Sequence, residues 1–546
     1  MSEVERAILR RIAVFPGRFD LESATKVATC SEISAAELLD GITSLAAKSL
    51  IMTDVTGEQV LFRMLETTHL YALEKLEAFG EAPAARRRHA ELCCAMCEHV
   101  RALSTNTAAW PARFDRMLDD VRVALDWCFS PRGDAIVSAE LVLASSPIWF
   151  RLSVIDEYRR HLERAQQALK AGNILDVTIE MKLNVMLGYA YMHTTGPQPG
   201  MTAAFERGLE IADLLGKPAA QWRALWGLGM ARVAAGDYAS AVELSSRARH
   251  AALNLDDGAV TMSERLLALS QHFAGNQAIA RRHTENVLSQ DLPTASWFSN
   301  DAYHLPRSLL AEILWLQGFP DRALRTAHEA VAEGLAADHA LSLCFVLFCA
   351  CPTALLAGDL VTASRFATMF VDHSAQCSLP YWHFWGRCFE AAVKFRLDEP
   401  TGPGATCLDL QRDPLFSALH LEMLIACCET PFAADAITRA ETGIASWCRP
   451  ELLRIEAEAI LKDACSGADE TAEALFRRSL DAARKQGALS WELRTATSLA
   501  RLWRRQNRGQ AAHALLASIY ARFTEGFETA DLVRARSLLN ELTASP

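Results

Sequence analysis

The chain has 546 residues, 51% hydrophobic and 22% charged, which excludes a disordered protein and predicts several domains or one long repeat array. Twenty-seven glycines and 19 prolines are too few for a fibrous or low-complexity chain. Lys+Arg 55 against Asp+Glu 66 leaves a net charge of −11, which argues against general nucleic-acid binding, because phosphate contact needs a positive surface.

The first eleven residues, MSEVERAILRR, are charged and hold no apolar leader. With fifteen cysteines, an odd number, they predict free thiols in a reducing cytoplasm. Ile8, Ile12 and Phe15 form an apolar helical stripe that ends at Pro16-Gly17. Leu21 to Ala28 and Ala35 to Lys48 read as two more helices, and Ser49 to Thr53 and Val60 to Leu65 as strands. Thr56-Gly57-Glu58 supplies a hairpin turn between the strands. Three helices and a hairpin outline a winged-helix domain over residues 1–78. Its groove-entering helix, Ala35 to Lys48, sets Glu37 and Asp40 against one Lys48 and offers no Arg, Asn or Gln to base edges. A structural winged helix is favoured, and nucleic acid is an unlikely partner for this chain alone.

Beyond Glu66 the sequence predicts no strand, and the fold class is all-α. A helical connector is expected over 79–180, TPR-like helical repeats over 181–398, and C-terminal TPR-like repeats over 399–546. In the connector, His89, Cys93 and Cys97 recur at helical spacing and His99 follows. They suggest either a zinc-dependent sensor at His89–His99 or a helix that packs its cysteine face into the core. Zinc sites usually draw ligands from two segments, which favours the second reading, with no metal and no cofactor.

Further on, one pattern recurs: Gly236 with Ala241, Gly275 with Ala280, Gly318 with Ala323, Gly358 with Ala363, and later Gly467 with Ala472. The first four glycines are 39, 43 and 40 residues apart, which predicts stacked helical hairpins. The glycine ends one helix in the left-handed conformation, and the small alanine lets the next helix approach. Asn507 takes the glycine position in a last unit ending at Ala512. The uncharged run from Ala340 to Gly358 has the length of a membrane span. Pro352 and Thr353 interrupt it, so a buried helix pair is expected and no membrane. Trp149, Trp222, Trp226, Trp315 and Trp491 read as core anchors. The denser run after Pro380 makes Tyr381, Trp382 and Trp385 the candidate partner or ligand surface. Pro400, Gly402, Pro403 and Gly404 predict a loop that opens a less regular stretch.

No phosphate-binding G-x-x-x-x-G-K-[ST] is present; the nearest approach, Gly41 to Lys48-Ser49, lacks the second glycine. Nor is there an H-E-x-x-H, a G-x-S-x-G or a G-x-G-x-x-G. No catalytic residue is therefore assigned, and the chain is not expected to be an enzyme.

Several stretches together resemble bacterial signal-transduction ATPases that act as transcriptional regulators. Phe15-Pro16-Gly17-Arg18-Phe19, Leu21 to Ala24, Leu45 to Leu50 and Arg63 to Thr67 are similar to the winged-helix segment of that family. Tyr71 to Leu76, Gly80-Glu81, Arg86 to Ala90 and Leu118 to Trp127 continue the likeness. Leu493 to Trp503 and Phe523 to Leu532 resemble the end of its repeat region. His69 and Asp120 depart from the Arg and Asn expected there, and Cys93-Cys94 from the usual aromatics. The resemblance implies a regulatory half without its ATPase module, either a truncated product or one half of a split system. Its superhelix would sense a small inducer or hold a protein, such as an ATPase or output domain in trans. A DNA-binding regulator acting through the winged helix is the alternative.

Overall fold

The computed structural model describes residues 1–56, 59–103, 113–290, 305–337, 339–397, 410–428, 434–442, 444–463 and 467–544. Among them the chain is helical apart from one three-stranded sheet. It divides into two compact units, Met1–Leu187 and Gly188–Pro546. The turn expected at Gly57-Glu58 and the loop at Pro400–Gly404 lie outside the described residues.

The first unit opens with α1 (Glu3–Ile12), started by a capping box in which Ser2 Oγ accepts from the Glu5 N–H at 3.1 Å and Glu5 accepts from the Ser2 N–H at 2.7 Å. β1 (Phe19–Asp20), α2 (Leu21–Ala28), α3 (Ala35–Ala47), β2 (Ile51–Thr56), β3 (Gln59–Met64) and α4 (Glu66–Ala78) follow. The sheet runs β1-β3-β2, antiparallel throughout, with Phe19 opposite Phe62 and Ile51 opposite Met64. Sequence periodicity misses β1 because two residues carry no alternation. Its Asp20 then caps α2, accepting from the Ser23 N–H at 2.7 Å. Ile8, Ile12, Phe15, Val27, Leu38 and Leu45 meet in the core between the helices and the sheet. Each such side chain contributes about 1.5–3 kcal/mol by leaving water. Arg10 and Arg11 of α1 both bind Glu81, at 2.9 Å each, and tie α1 to the start of the next helix.

The unit continues with α5 (Ala82–Leu103), α6 (Arg113–Cys128), α7 (Ala135–Ala144), α8 (Ser146–Arg151), α9 (Ile155–Ala171) and the first part of α10 (Val177–Thr194), whose residues from Gly188 onward belong to the second unit. Trp149 is fully buried among them, its indole N–H donating to Ser145 Oγ at 2.9 Å.

The second unit is a row of helical hairpins. After α10 come α11 (Pro199–Leu215), α12 (Pro218–Ala234), α13 (Tyr238–Ala252), α14 (Asp257–Phe273) and α15 (Gln277–Leu288). Then follow α16 (Leu305–Leu316), α17 (Pro320–Ala336), α18 (Ala340–Ala357), α19 (Leu360–Gln376) and α20 (Pro380–Arg396). A later set comprises α21 (Ala418–Cys428), α22 (Ala434–Glu441), α23 (Arg449–Asp463), α24 (Ala468–Gln486), α25 (Leu489–Arg505), α26 (Gly509–Tyr520) and α27 (Ala530–Ala544).

The recurrent Gly-to-Ala pattern sits at the hairpin turns. Gly236, Gly275, Gly318 and Gly358 have φ of 74°, 83°, 89° and 80°. Ala241, Ala280, Ala323 and Ala363, five residues on, are all fully buried. At Gly358 the left-handed step ends α18, and the Asp359 N–H reaches back to the Ala354 carbonyl at 3.1 Å. Asp359 then starts α19 by accepting from the Thr362 N–H at 3.0 Å. Gly236-Asp237 repeats this, with Asp237 accepting from the Ser240 N–H at 3.2 Å. One glycine stops a helix and the next residue starts another.

The run expected to be a helix pair is a single helix, α18, with Pro352 inside it. Proline removes one backbone donor, and the neighbouring Thr353 hydroxyl supplies a donor to the Cys349 carbonyl at 2.8 Å. By length and composition α18 is long and apolar enough to cross a membrane, yet 94% of it is buried inside the protein.

Candidate functional site

An apolar cavity lies in the second unit between hairpins, and the dense aromatic run forms one wall of it. Tyr381, Trp382 and Trp385 of α20 are buried and line it, with Phe345 and Phe348 of α18 alongside. Met192 of α10, Met201 of α11, Met230 of α12 and Leu419 of α21 close the other sides. The cavity holds about 560 Å³ of non-atom space, mouth included, of which about 50 Å³ admits the centre of a water molecule. None of the described residues that line it is charged.

The wall is fixed by edge-to-face packing. Phe345 meets Trp382 with ring centroids 4.5 Å apart, and Phe348 meets Trp385 at 4.8 Å. The Trp382 indole N–H is occupied, donating to His193 Nδ1 at 3.3 Å. Behind Trp385 lies His420, stacked at 3.7 Å. Burial pushes the His420 imidazole well below its ordinary value, which keeps it neutral.

Beside the cavity runs a polar seam that joins the two sets of hairpins. Four helix-end carbonyls of the earlier set accept hydrogen bonds from the later set. The Gly236 carbonyl accepts from Arg439 at 3.0 Å, and Phe273 from the Trp447 N–H at 3.2 Å. Trp315 accepts from the Ser490 hydroxyl at 2.5 Å, and Leu356 from Arg494 at 2.8 Å. The ends of α12, α14, α16 and α18 are thus capped in chain order by residues that also rise in chain order.

Buried charges reinforce the seam. Glu422 of α21 is fully buried and accepts from Arg439 at 2.8 Å, Tyr238 at 2.5 Å and Trp447 at 3.1 Å. Burial pushes its carboxyl above the usual value, and the bonds from Tyr238, Arg439 and Trp447 offset only part of that. Arg494 of α25 binds Glu451 at 3.0 Å and Asp531 at 2.7 Å. A different pair, His272 and Glu312, is fully buried at 3.4 Å, and neither Glu312 oxygen has a hydrogen-bond partner.

In the first unit the residues read as a zinc alternative come together only in part. His89 Nε2 pairs with Asp120 at 3.0 Å, and Cys93 lies 3.8 Å from that ring. Burial pushes the Cys94 thiol up to about 12 and raises Cys93 and Cys97 as well. Among the described residues no group of three or more His, Cys, Asp or Glu side chains could hold a metal ion. On α3, Glu37 and Asp40 are exposed, and the Lys48 ammonium is paired with Glu5 at 2.7 Å.

Sequence reasoning singled out the aromatic wall but not the methionines opposite it, nor Glu422, Arg439 and Arg494. One signal was available: Glu422 is the only charged residue in the apolar helix ALHLEMLIACC.

No family model matches the chain. A protein of Mycobacterium tuberculosis, provisionally named an HTH-type transcriptional regulator, is 30% identical over 264 residues, which cover 45% of this chain and 29% of that one. Its counterpart in Mycobacterium bovis matches over the same shares. An uncharacterized Mycobacterium tuberculosis protein is 36% identical over 90 residues, 16% of this chain and 23% of that one. The chain therefore spans less than a third of the length of these relatives. Among solved structures, a signal-transduction ATPase with a tetratricopeptide-repeat sensor from Pyrococcus horikoshii is similar at 13% identity and TM-score 0.39, over 75% of this chain and 63% of that one.

Proposed function

We propose that the chain is a non-enzymatic regulatory module of a bacterial signal-transduction or transcriptional switch, acting in the cytoplasm. Residues 1–78 form a winged helix that docks onto an ATPase or output domain supplied in trans. Residues 79–180 connect it to the hairpins of 181–398 and 399–546, which sense a small ligand or hold a protein. The observation that carries this reading is the 264-residue kinship with a regulator, in a chain that folds as helical hairpins. Repeat hairpins of this kind present extended surfaces suited to recognition. Mixing the purified chain with ATP tests it: no specific hydrolysis and no tight nucleotide binding are expected. Either one, given by the isolated protein, overturns the reading.

The helix-turn-helix in the relative's name favours a second reading, DNA recognition through α3. The acidic exposed face of α3 opposes it, since a recognition helix needs donors and positive charge. A mobility-shift titration at physiological salt decides between them. Nanomolar, sequence-dependent binding would reverse the ranking.

A further inference from the structure

We infer that the cavity walled by Tyr381, Trp382 and Trp385 is a receptor site for a small, neutral, single-ring aromatic molecule. The inference rests on the sensing role proposed above and deepens it by naming the ligand class.

Three features of the cavity select that class. Its lining is almost wholly carbon and sulfur and carries no charge; its polar side-chain atoms are the Tyr381 hydroxyl and the indole N–H groups of Trp382 and Trp385, and that of Trp382 already donates to His193. A carboxylate or ammonium entering would lose its water and gain no counter-charge, which excludes charged ligands. The aromatic wall already packs edge to face at 4.5–4.8 Å, and a further ring can join that arrangement. Met192, Met201 and Met230 line the cavity together with the aromatics. Thioethers make favourable contacts with ring edges and adapt their shape through three rotatable bonds. Size sets the upper limit. With about 50 Å³ open to water centres, the space suits one ring after the methionines turn, not a fused system.

The mouth is also defined. Of the lining residues only Pro197, Met230 and Ala234 are half-exposed; the rest are buried. A ligand would enter beside the last turn of α12 and come to rest against Trp382 and Trp385. It would also touch Leu419 on α21, three residues before Glu422. Occupancy therefore braces α21, the helix that holds Arg439 and Tyr238 across the seam. This is how binding in an apolar cavity would reach the contact between the two sets of hairpins.

The experiment is calorimetric titration of the full chain with toluene, and with benzoate as the charged counterpart, on wild type and Ala234→Leu. Leucine at position 234 narrows the mouth from a half-exposed helical position, and circular dichroism checks that the variant folds. Wild type is expected to bind one toluene with a dissociation constant on the order of 0.1–1 mM and to gain about 1–2 °C in Tm at saturation. Benzoate should give no saturable heat, and Ala234→Leu should bind toluene at least about tenfold more weakly. Absence of saturable toluene binding to folded wild type overturns the inference, as does equal affinity in Ala234→Leu or equal binding of benzoate. Loss of toluene binding without nucleotide hydrolysis would overturn the cavity assignment alone. Nucleotide hydrolysis with toluene binding intact would overturn the regulatory reading alone.

Discussion

The cavity and the seam lie side by side in the same unit and are built on opposite principles. The cavity wall consists of Trp382, Trp385, Phe345 and three methionines, with no buried charge to satisfy. The seam is made of Glu422, Arg439 and Arg494, which reach back to Tyr238, Gly236 and Leu356, with Glu451 and Asp531 holding Arg494 in place. Contacts among apolar groups are many, weak and interchangeable, so such a wall can yield to a guest. Buried ion pairs are few and specific, and removing one partner strands the other. The molecule thus places its adaptable region against its least adaptable one.

The sharpest way to break that contrast is Glu422→Ala. It leaves Tyr238 and the Trp447 indole without their acceptor and the Arg439 guanidinium with the Gly236 carbonyl but no counter-charge, and a loss of about 3–5 kcal/mol is expected in urea denaturation. A loss below about 1 kcal/mol would show that the seam is no more demanding than the wall. The opposite sign is expected when both members of the buried His272–Glu312 pair are replaced by apolar residues of similar volume, His272→Phe with Glu312→Leu. The double variant should be more stable by about 1–4 kcal/mol, read as a rise in Tm. The glycine turns test the seam at a finer scale. In Gly236→Ala the new Cβ would lie 2.1 Å from Arg439 Nη2, whereas in Gly216→Ala it meets nothing within 4 Å. Both residues have positive φ, so both variants carry about 1–2 kcal/mol of backbone strain, and the first should cost at least about 1 kcal/mol more. Ala234→Leu, at the cavity mouth, should change stability by less than about 0.5 kcal/mol.

The first unit offers a pH-dependent counterpart. Burial raises the Glu81 carboxyl, but the bonds from Arg10 and Arg11 outweigh it and hold the group below its usual value. A depressed carboxylate stabilises the fold above the unfolded value of about 4.3 and loses that contribution as pH falls through the folded value. Acid unfolding of wild type should therefore steepen below about pH 4.3, and Glu81→Gln should flatten it at a cost of about 1–3 kcal/mol at neutral pH. Unchanged acid sensitivity in that variant would remove Glu81 from the account.

Local features of the fold were legible in the sequence, and distant ones were not. Gly236, Gly275, Gly318 and Gly358 announce their turns because a left-handed residue is a local requirement that glycine meets at least cost. The two-residue β1 fell below any periodicity. Pro352 misled in the other direction, because a neighbouring threonine and close packing let α18 continue through it. In the candidate site, Tyr381, Trp382 and Trp385 stood out as a dense run, but their inward orientation depends on helices as far back as α10. The seam was hidden because the partners that join its two sets of hairpins lie 138 to 203 positions apart, as in Leu356 with Arg494 and Gly236 with Arg439.

The capped helix ends have a consequence during synthesis. Leu356 waits 138 residues for the Arg494 side chain that binds its carbonyl, Trp315 waits 175 for Ser490, and Gly236 waits 203 for Arg439. While the chain emerges, the earlier hairpins are made but their last carbonyls face water. A nascent chain halted near residue 400 should hold its helices yet exchange amide hydrogens quickly at their C-terminal turns. Protection would arrive at Gly236 and Phe273 first and at Trp315 and Leu356 last, in the order that their donors leave the ribosome.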